Sequence, residues 1–238
     1  MACQSPKNNN LIIATAANLQ HAMLAITEAF TEQTGIKCEV IIGSSGKLTA
    51  QIVEGAPFDI FTSADMKYPR VLYKQGLAIS TPKIYAFGQL ILLTAMRDIQ
   101  PDIHRLTGED IHHIVLANPK IAPYGMAAMQ VLDHYQLTDK IEDKLVYGES
   151  ISQTNQFILS GAAEIGITCK STVFSPVFLD KGRWQAIDSS FYSPLAQGVV
   201  ILNKKQNSQL FYDFLFSEKS RLILNKFGYF VPELTDAQ

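Results

Sequence analysis

The sequence predicts an α/β protein of two lobes, each a mainly parallel sheet with helices packed on it, the two joined by crossover strands. Three observations carry this. Short apolar, β-branched runs alternate with segments of helical spacing from residue 11 to residue 76. The connections are short and rich in Gly, Ser and Asn, as strand-to-helix turns are. Near residue 84 the alternation is broken by KIYAFGQLILLTA, an apolar run longer than a usual strand, and then resumes. That run reads as a bridge between lobes. Lobe one comprises residues 11–84 and 196–238, lobe two residues 85–195, and residues 1–10 read as a disordered tail. One doubly wound sheet is the alternative architecture.

The elements follow in order. LIIATAA (11–17) is a short buried strand. From Asn18 the apolar residues Leu19, Met23, Ile26 and Phe30 recur at helical spacing, and Gly35 ends that helix. IKCEVII (36–42) alternates and reads as a strand. Gly43-Ser44-Ser45-Gly46 turns the chain into a helix with Leu48, Ile52 and Val53 on one face, ending near Gly55. FDIFTSA (58–64) is a third strand, and 66–76 a helix closed by Gly76. Strand, helix, strand and helix with short connections make a parallel sheet with right-handed crossovers. Beyond the bridge, HIVLANPKIAPYG (113–125) is a strand and loop, 126–136 a helix, KLVYGES (144–150) a strand, 151–160 a helix and AEIGITC (163–169) a strand. LAQGVVILN (195–203) returns as a strand. Helices at 206–217 and 218–227 finish the chain, and Phe211, Phe214 and Phe227 mark a core-facing side.

The 238 residues are 47% hydrophobic, enough for one sizeable core or two modest ones. A net charge of −2 gives no electrostatic footprint for nucleic acid or an anionic membrane. No apolar run approaches the ~20 residues of a membrane span. Cys3, Cys38 and Cys169 are too few and too scattered for a disulfide framework or a metal site. The start, MACQSPKNNN, lacks the apolar stretch of a signal peptide. It reads either as the polar beginning of an exported chain whose signal has been removed, with Cys3 placed like the acylated Cys of a bacterial lipoprotein, or as a plain tail.

Gly-Ser-Ser-Gly between strand and helix invites four chemistries. A Walker loop needs Gly, four residues, then Gly-Lys-Ser/Thr. Here Leu48 follows Gly46-Lys47 and Ile41 stands at the first Gly position. No Gly-x-Gly-x-x-Gly opens any helix, and the Gly-x-Ser-x-Gly spacing of a nucleophile elbow is missing. His21, His104, His112, His113 and His134 have no spacing that makes one of them a base, and they read as surface or capping residues. No His-Glu-x-x-His or paired-Cys motif binds metal. A helix N-cap remains, and so does an anion seat built from first-turn N–H groups and serine hydroxyls.

Three further turns share that style. In an open sheet, ligands sit beyond the carboxyl ends of the strands. Ala16-Ala17-Asn18 and Ser44-Ser45 occupy such ends in lobe one, and Pro123-Tyr124-Gly125 and Ser150-Ile151 in lobe two. All four are neutral, with only Lys47 charged beside them. Facing one another, they would hold a compact, fully ionised oxyanion through charge-assisted hydrogen bonds. An anion still carrying a proton would want an acceptor as well. Asp59 and Asp65, by the third strand, could serve, though both read first as caps or surface carboxylates.

ATAANLQHAMLAITEAFTEQTGIKCEVIIGSSGKLTAQIVEGAPFDIFTSADMKYPRVLYKQGLA, with ANPKIAPYGMAAMQVL and SGAAEIGIT later, resembles the periplasmic molybdate-binding proteins of ABC transporters over residues 11–232. The resemblance implies a type II periplasmic-binding-protein fold closing on molybdate or tungstate, and no cofactor. It also implies an inner-membrane ABC permease as partner, a monomer, a periplasmic location and no enzymatic activity. It carries ligand contacts onto Ala17, Asn18, Ser45, Tyr124 and Ile151, with Ser44 and Cys169 as secondary candidates; the metal of the oxyanion is held only through its oxygens. Ala17 lacks the hydroxyl many relatives have there, and Cys169 falls near a position where some relatives use Tyr. Two other readings stay open: a binding protein for sulfate, phosphate or a small organic acid, and a hydrolase using Ser44 or Ser45.

Overall fold

The computed structural model describes residues 10–178 and 181–232. It contains two five-stranded sheets. The first has the order β2-β1-β3-β10-β4, from Leu11–Ala16 (β1), Cys38–Gly43 (β2), Ile60–Ser63 (β3), Lys83–Gly88 (β4) and Leu195–Ile201 (β10). The second runs β7-β6-β8-β5-β9, from Leu90–Thr94 (β5), Ile114–Ala117 (β6), Leu145–Gly148 (β7), Ile165–Cys169 (β8) and Arg183–Ala186 (β9). β1 is parallel to β2 and β3, and β6 to β7 and β8, while β10 and β5 run antiparallel to both their neighbours. Each sheet is therefore the same arrangement, with one reversed strand between its parallel strands.

The run KIYAFGQLILLTA, expected as one long strand, is two. Gln89 separates β4 in the first sheet from β5 in the second. Residues 85–88 thus pair within the first sheet, beyond the point where the sequence reading changed lobes. β9, at an exposed edge, has no apolar signature, and the sequence reading passed over it.

Helices cover both faces of each sheet, and strand alternation decides which residue goes where. In β1, Ile13 faces the cluster made with Met23, Ile26, Phe30, Phe211 and Phe214, while Ala14 faces Leu48, Ile52 and Leu72. These residues sit on Gln20–Thr34 (α1) and Gln206–Leu215 (α7) on one side, and on Ser45–Val53 (α2) and Lys67–Lys74 (α3) on the other. Phe30 meets Phe211 and Phe214 edge-on, with centroids 5.2 and 5.4 Å apart. Phe227 packs against the same cluster, partly buried, after Glu218–Lys226 (α8). In the second sheet Pro123–His134 (α4) covers the face of Leu92 and Leu116, and Ile151–Leu159 (α6) the face of Leu93 and Val115. A short helix, Thr138–Ile141 (α5), links α4 to β7. Gly35 and Gly76 follow α1 and α3 at φ of 73° and 72°, the left-handed stop expected of them.

Candidate oxyanion site between the two sheets

Four chain turns meet where the carboxyl ends of the two sheets face each other. They line one small void: Ala16, Ala17 and Asn18; Ser44 and Ser45; Ala122, Pro123 and Tyr124; Ile151; and, in addition, Ala64. The void is small, about 10 Å³, close to the room one water needs, so a larger guest would have to press the turns apart. Among the described residues, its lining contains no Asp, Glu, Lys, Arg or His.

Each turn presents backbone donors for a local reason. β1 ends in a 3-10 turn, Ala17–Leu19, whose one closing bond runs from Gln20 N–H to Ala17 C=O. α2 is capped by Ser44, whose Oγ accepts Lys47 N–H at 3.4 Å. α4 starts at Pro123, three residues before the expected position, because proline suits the first helical place and has no N–H to satisfy. Tyr124 therefore carries the first free N–H of that helix, inside it rather than in the loop before it. α6 is capped by Ser150, and Gln153 reaches back to accept Glu149 N–H at 2.7 Å. First-turn N–H groups have no intrahelical acceptor, and the helix N-terminus carries partial positive charge.

The side chains divide differently from the sequence reading. Ser45 Oγ accepts Ala64 N–H at 3.0 Å. Asn18 spends its amide inside lobe one, donating to Gln197 Oε1 at 2.8 Å and Tyr229 Oη at 2.9 Å, which leaves its backbone N–H for any guest. Tyr124 sends its buried phenol away along lobe one, where a Cβ on Gly88 would stand 1.8 Å from Oη. Burial, with Tyr229 nearby, pushes that phenol well above its ordinary pKa and keeps it neutral.

Cys169 does not join the void. It lies on a neighbouring cavity of about 180 Å³, with Sγ 3.0 Å from Ser171 Oγ and 3.2 Å from Thr172 Oγ1, and burial raises its thiol pKa. Neither aspartate reaches the void. Asp59 precedes β3 at the opposite, amino end of the sheet. It is fully buried rather than superficial, accepting Ile12 N–H (2.7 Å), Asn203 Nδ2 (2.5 Å) and Lys205 Nζ (2.7 Å). Asp65 takes Ser63 Oγ and Tyr68 N–H on Oδ1, as the cap it was expected to be. Ala64, Gln197 and Tyr229 are the residues the sequence reading missed. Cys3 lies outside the described residues.

The two sheets are in contact around the void. Gly46 N–H donates to Ile121 C=O at 2.9 Å, Lys47 Nζ pairs with Glu149 at 2.5 Å, Ser152 Oγ donates to Gln20 Oε1 at 2.8 Å, and Ser171 Oγ donates to Asn18 C=O at 2.7 Å. Among the described residues no group of three or more His, Cys, Asp or Glu could hold a metal ion, and no helix is long and apolar enough to cross a membrane.

Known proteins share both sequence and fold. The family model described as bacterial extracellular solute-binding protein matches residues 11–230. The molybdate-binding protein ModA of Azotobacter vinelandii is 35% identical over 222 residues, 91% of this chain and 88% of that protein. ModA of Rhodobacter capsulatus is 33% identical over 223 residues, 92% of this chain and 87% of that one. The structure of the Azotobacter vinelandii periplasmic molybdate-binding protein superposes with a TM-score of 0.87 at 33% identity, covering 94% of this chain and all of that one. The two reversed-strand sheets thus form the periplasmic-binding-protein architecture, and the chain belongs to the bacterial extracellular solute-binding protein family.

Proposed function

We propose that this protein captures molybdate or tungstate between its lobes, outside the cytoplasm, and delivers it as a monomer to the membrane permease of an ABC transporter. The observation that carries the reading is the void lined by four turns from both lobes and by no charged side chain. The ligand groups are the N–H groups of Ala17, Asn18, Tyr124 and Ile151, with Ser45 giving its hydroxyl; Ser44 serves as the cap behind it. Hydrogen bonds to a charged group contribute about 1.5–3 kcal/mol each. Several together, with three helix N-termini, offset the cost of taking a compact dianion out of water. Among the described residues no carboxylate lines the void to accept strongly from an oxyanion arriving with a proton, so a fully deprotonated tetrahedral anion is favoured over phosphate. Relatives that share more than 30% of the residues carry the name molybdate-binding protein, which selects this anion among others of like charge.

No observation favours a hydrolase. The hydroxyls of Ser44 and Ser45 meet backbone N–H groups, and among the described residues no histidine or carboxylate lines the void to act as base. Calorimetric titration with molybdate, tungstate, sulfate and phosphate tests the function. Tight binding of the first two with weak binding of the others is the expected result; a preference for sulfate or phosphate would overturn the molybdate assignment. Acylation of Cys3 belongs to the same reading, and loss of the protein from the membrane fraction on Cys3→Ala is its check.

A further inference from the structure

We propose that Gln197, which does not line the void, is the positioning residue that sets the spacing of the oxyanion-binding turns in lobe one. The inference rests on the oxyanion reading above. Gln197 lies on the reversed strand β10, is fully buried, and sits where the β10–β4 register shifts between Gln197 and Gly198. The extra residue is Tyr85 on β4, so Gln197 stands opposite a bulge, and bulges gather beside functional sites. Here the amide is aimed between two of the turns. Nε2 faces two carbonyls, Ala64 C=O at 3.1 Å and Leu195 C=O at 2.8 Å, which can only accept. Oε1 therefore faces Asn18 Nδ2, which donates to it at 2.8 Å.

These bonds continue to the void on both sides. Ala64 gives its N–H to Ser45 Oγ, so the peptide that Gln197 holds by one carbonyl is next to the one that orients the Ser45 hydroxyl. Asn18, held by Gln197 on one amide proton, is held on the other by Tyr229, whose Oη also donates to Asn18 C=O at 2.7 Å. A 3-10 turn of three residues with no side-chain cap has little of its own to fix its shape. Three strand ends, those of β1, β3 and β10, and the start of α2 are thus referenced to one buried amide.

Two variants and a control test this. Gln197→Leu keeps bulk and removes both bonding directions. Ser220→Ala removes an equally buried hydroxyl that bonds Phe214 C=O away from the void. The readouts are the dissociation constants for molybdate and sulfate by calorimetry and the melting temperature without ligand. Gln197→Leu is expected to weaken molybdate binding roughly tenfold or more and to change the molybdate-to-sulfate ratio, since ring spacing governs which anion fits. Ser220→Ala is expected to lower the melting temperature with both constants within about twofold. Should Gln197→Leu not fold, Gln197→Met, which also lacks the amide and is close in volume, carries the test with the same outcomes. Affinity and ratio unchanged in the folded variant overturn the positioning role. If the unaltered protein binds neither anion, the oxyanion reading falls and this inference with it.

Discussion

Ser45 Oγ accepts the N–H of Ala64 at 3.0 Å, with both residues on the void. A hydroxyl has one proton and accepts elsewhere. Oγ accepts from Ala64 and donates to no described group, so its proton is left for a guest. Ser45→Ala should therefore weaken oxyanion binding roughly tenfold to hundredfold, the range for one hydrogen bond to a charged group. Titration calorimetry reads the change, and an unaltered constant would remove the hydroxyl from the site.

Gly46 lets the lobes approach. A Cβ there would stand 2.8 Å from Tyr68 Oη and 2.9 Å from Ile121 C=O; the first is a side-chain tip that can yield, the second is backbone of the other lobe. Gly46→Ala should therefore force Ile121 away and strain the Gly46 N–H bond to it, which outweighs the up to about 1 kcal/mol that Ala contributes within a helix, so the melting temperature should fall. It should also weaken binding and reduce the ligand-induced compaction measured by small-angle scattering. Full compaction in the variant would rule this out.

The void offers no group that titrates near neutrality. Among the described residues Tyr124 is its only ionisable lining residue, and burial keeps that phenol protonated well past its ordinary range. Affinity for an oxyanion that stays fully ionised should thus be flat from about pH 6 to pH 9. Titrations across that range check it, and a tenfold drift would point to a titrating group acting on the site.

Glu164 ties β8 to the segment before β6. Burial alone would raise its carboxyl pKa, but the N–H groups of His113 and His112, at 2.6 and 3.1 Å, hold it below the usual value. A carboxyl lowered in the folded state adds stability above its unfolded pKa and loses it as pH falls through the folded one. Glu164→Gln should cost about 1 kcal/mol at pH 7, with the gap closing below about pH 4. Urea unfolding at both pH values measures this; a gap that persists in acid would contradict the charge-based account.

Much of this was legible in the residues, and for a physical reason. β1, β3, β6 and β8 are buried on both faces, so they read as apolar runs, and the glycines after α1 and α3 mark sharp stops. The four turns could be found because strand-to-helix connections in such sheets have one place to be. What stayed hidden depends on distant partners. The split at Gln89 is invisible because β4 and β5 are apolar on both sides of it. Asp59 is buried by Ile12, Asn203 and Lys205, remote along the chain. The diversion of the Asn18 amide to Gln197 and Tyr229 needs neighbours 179 and 211 residues away, which no local pattern encodes. Cys169, at the end of β8, was drawn toward the site by the resemblance, near where some relatives use Tyr, but its sulfur turns to Ser171 and Thr172.

Most of the proposed contacts at the void belong to the main chain, and amides persist whatever side chain is attached to them. Point substitution at Ala17, Tyr124 or Ile151 cannot delete the donor; it can only tilt it. Drift at those three codons should therefore be tolerated wherever volume is kept, so selection on anion choice would act chiefly through the scaffold that aims the peptides. Swapping guests by engineering would then call for altered strand ends rather than new lining residues.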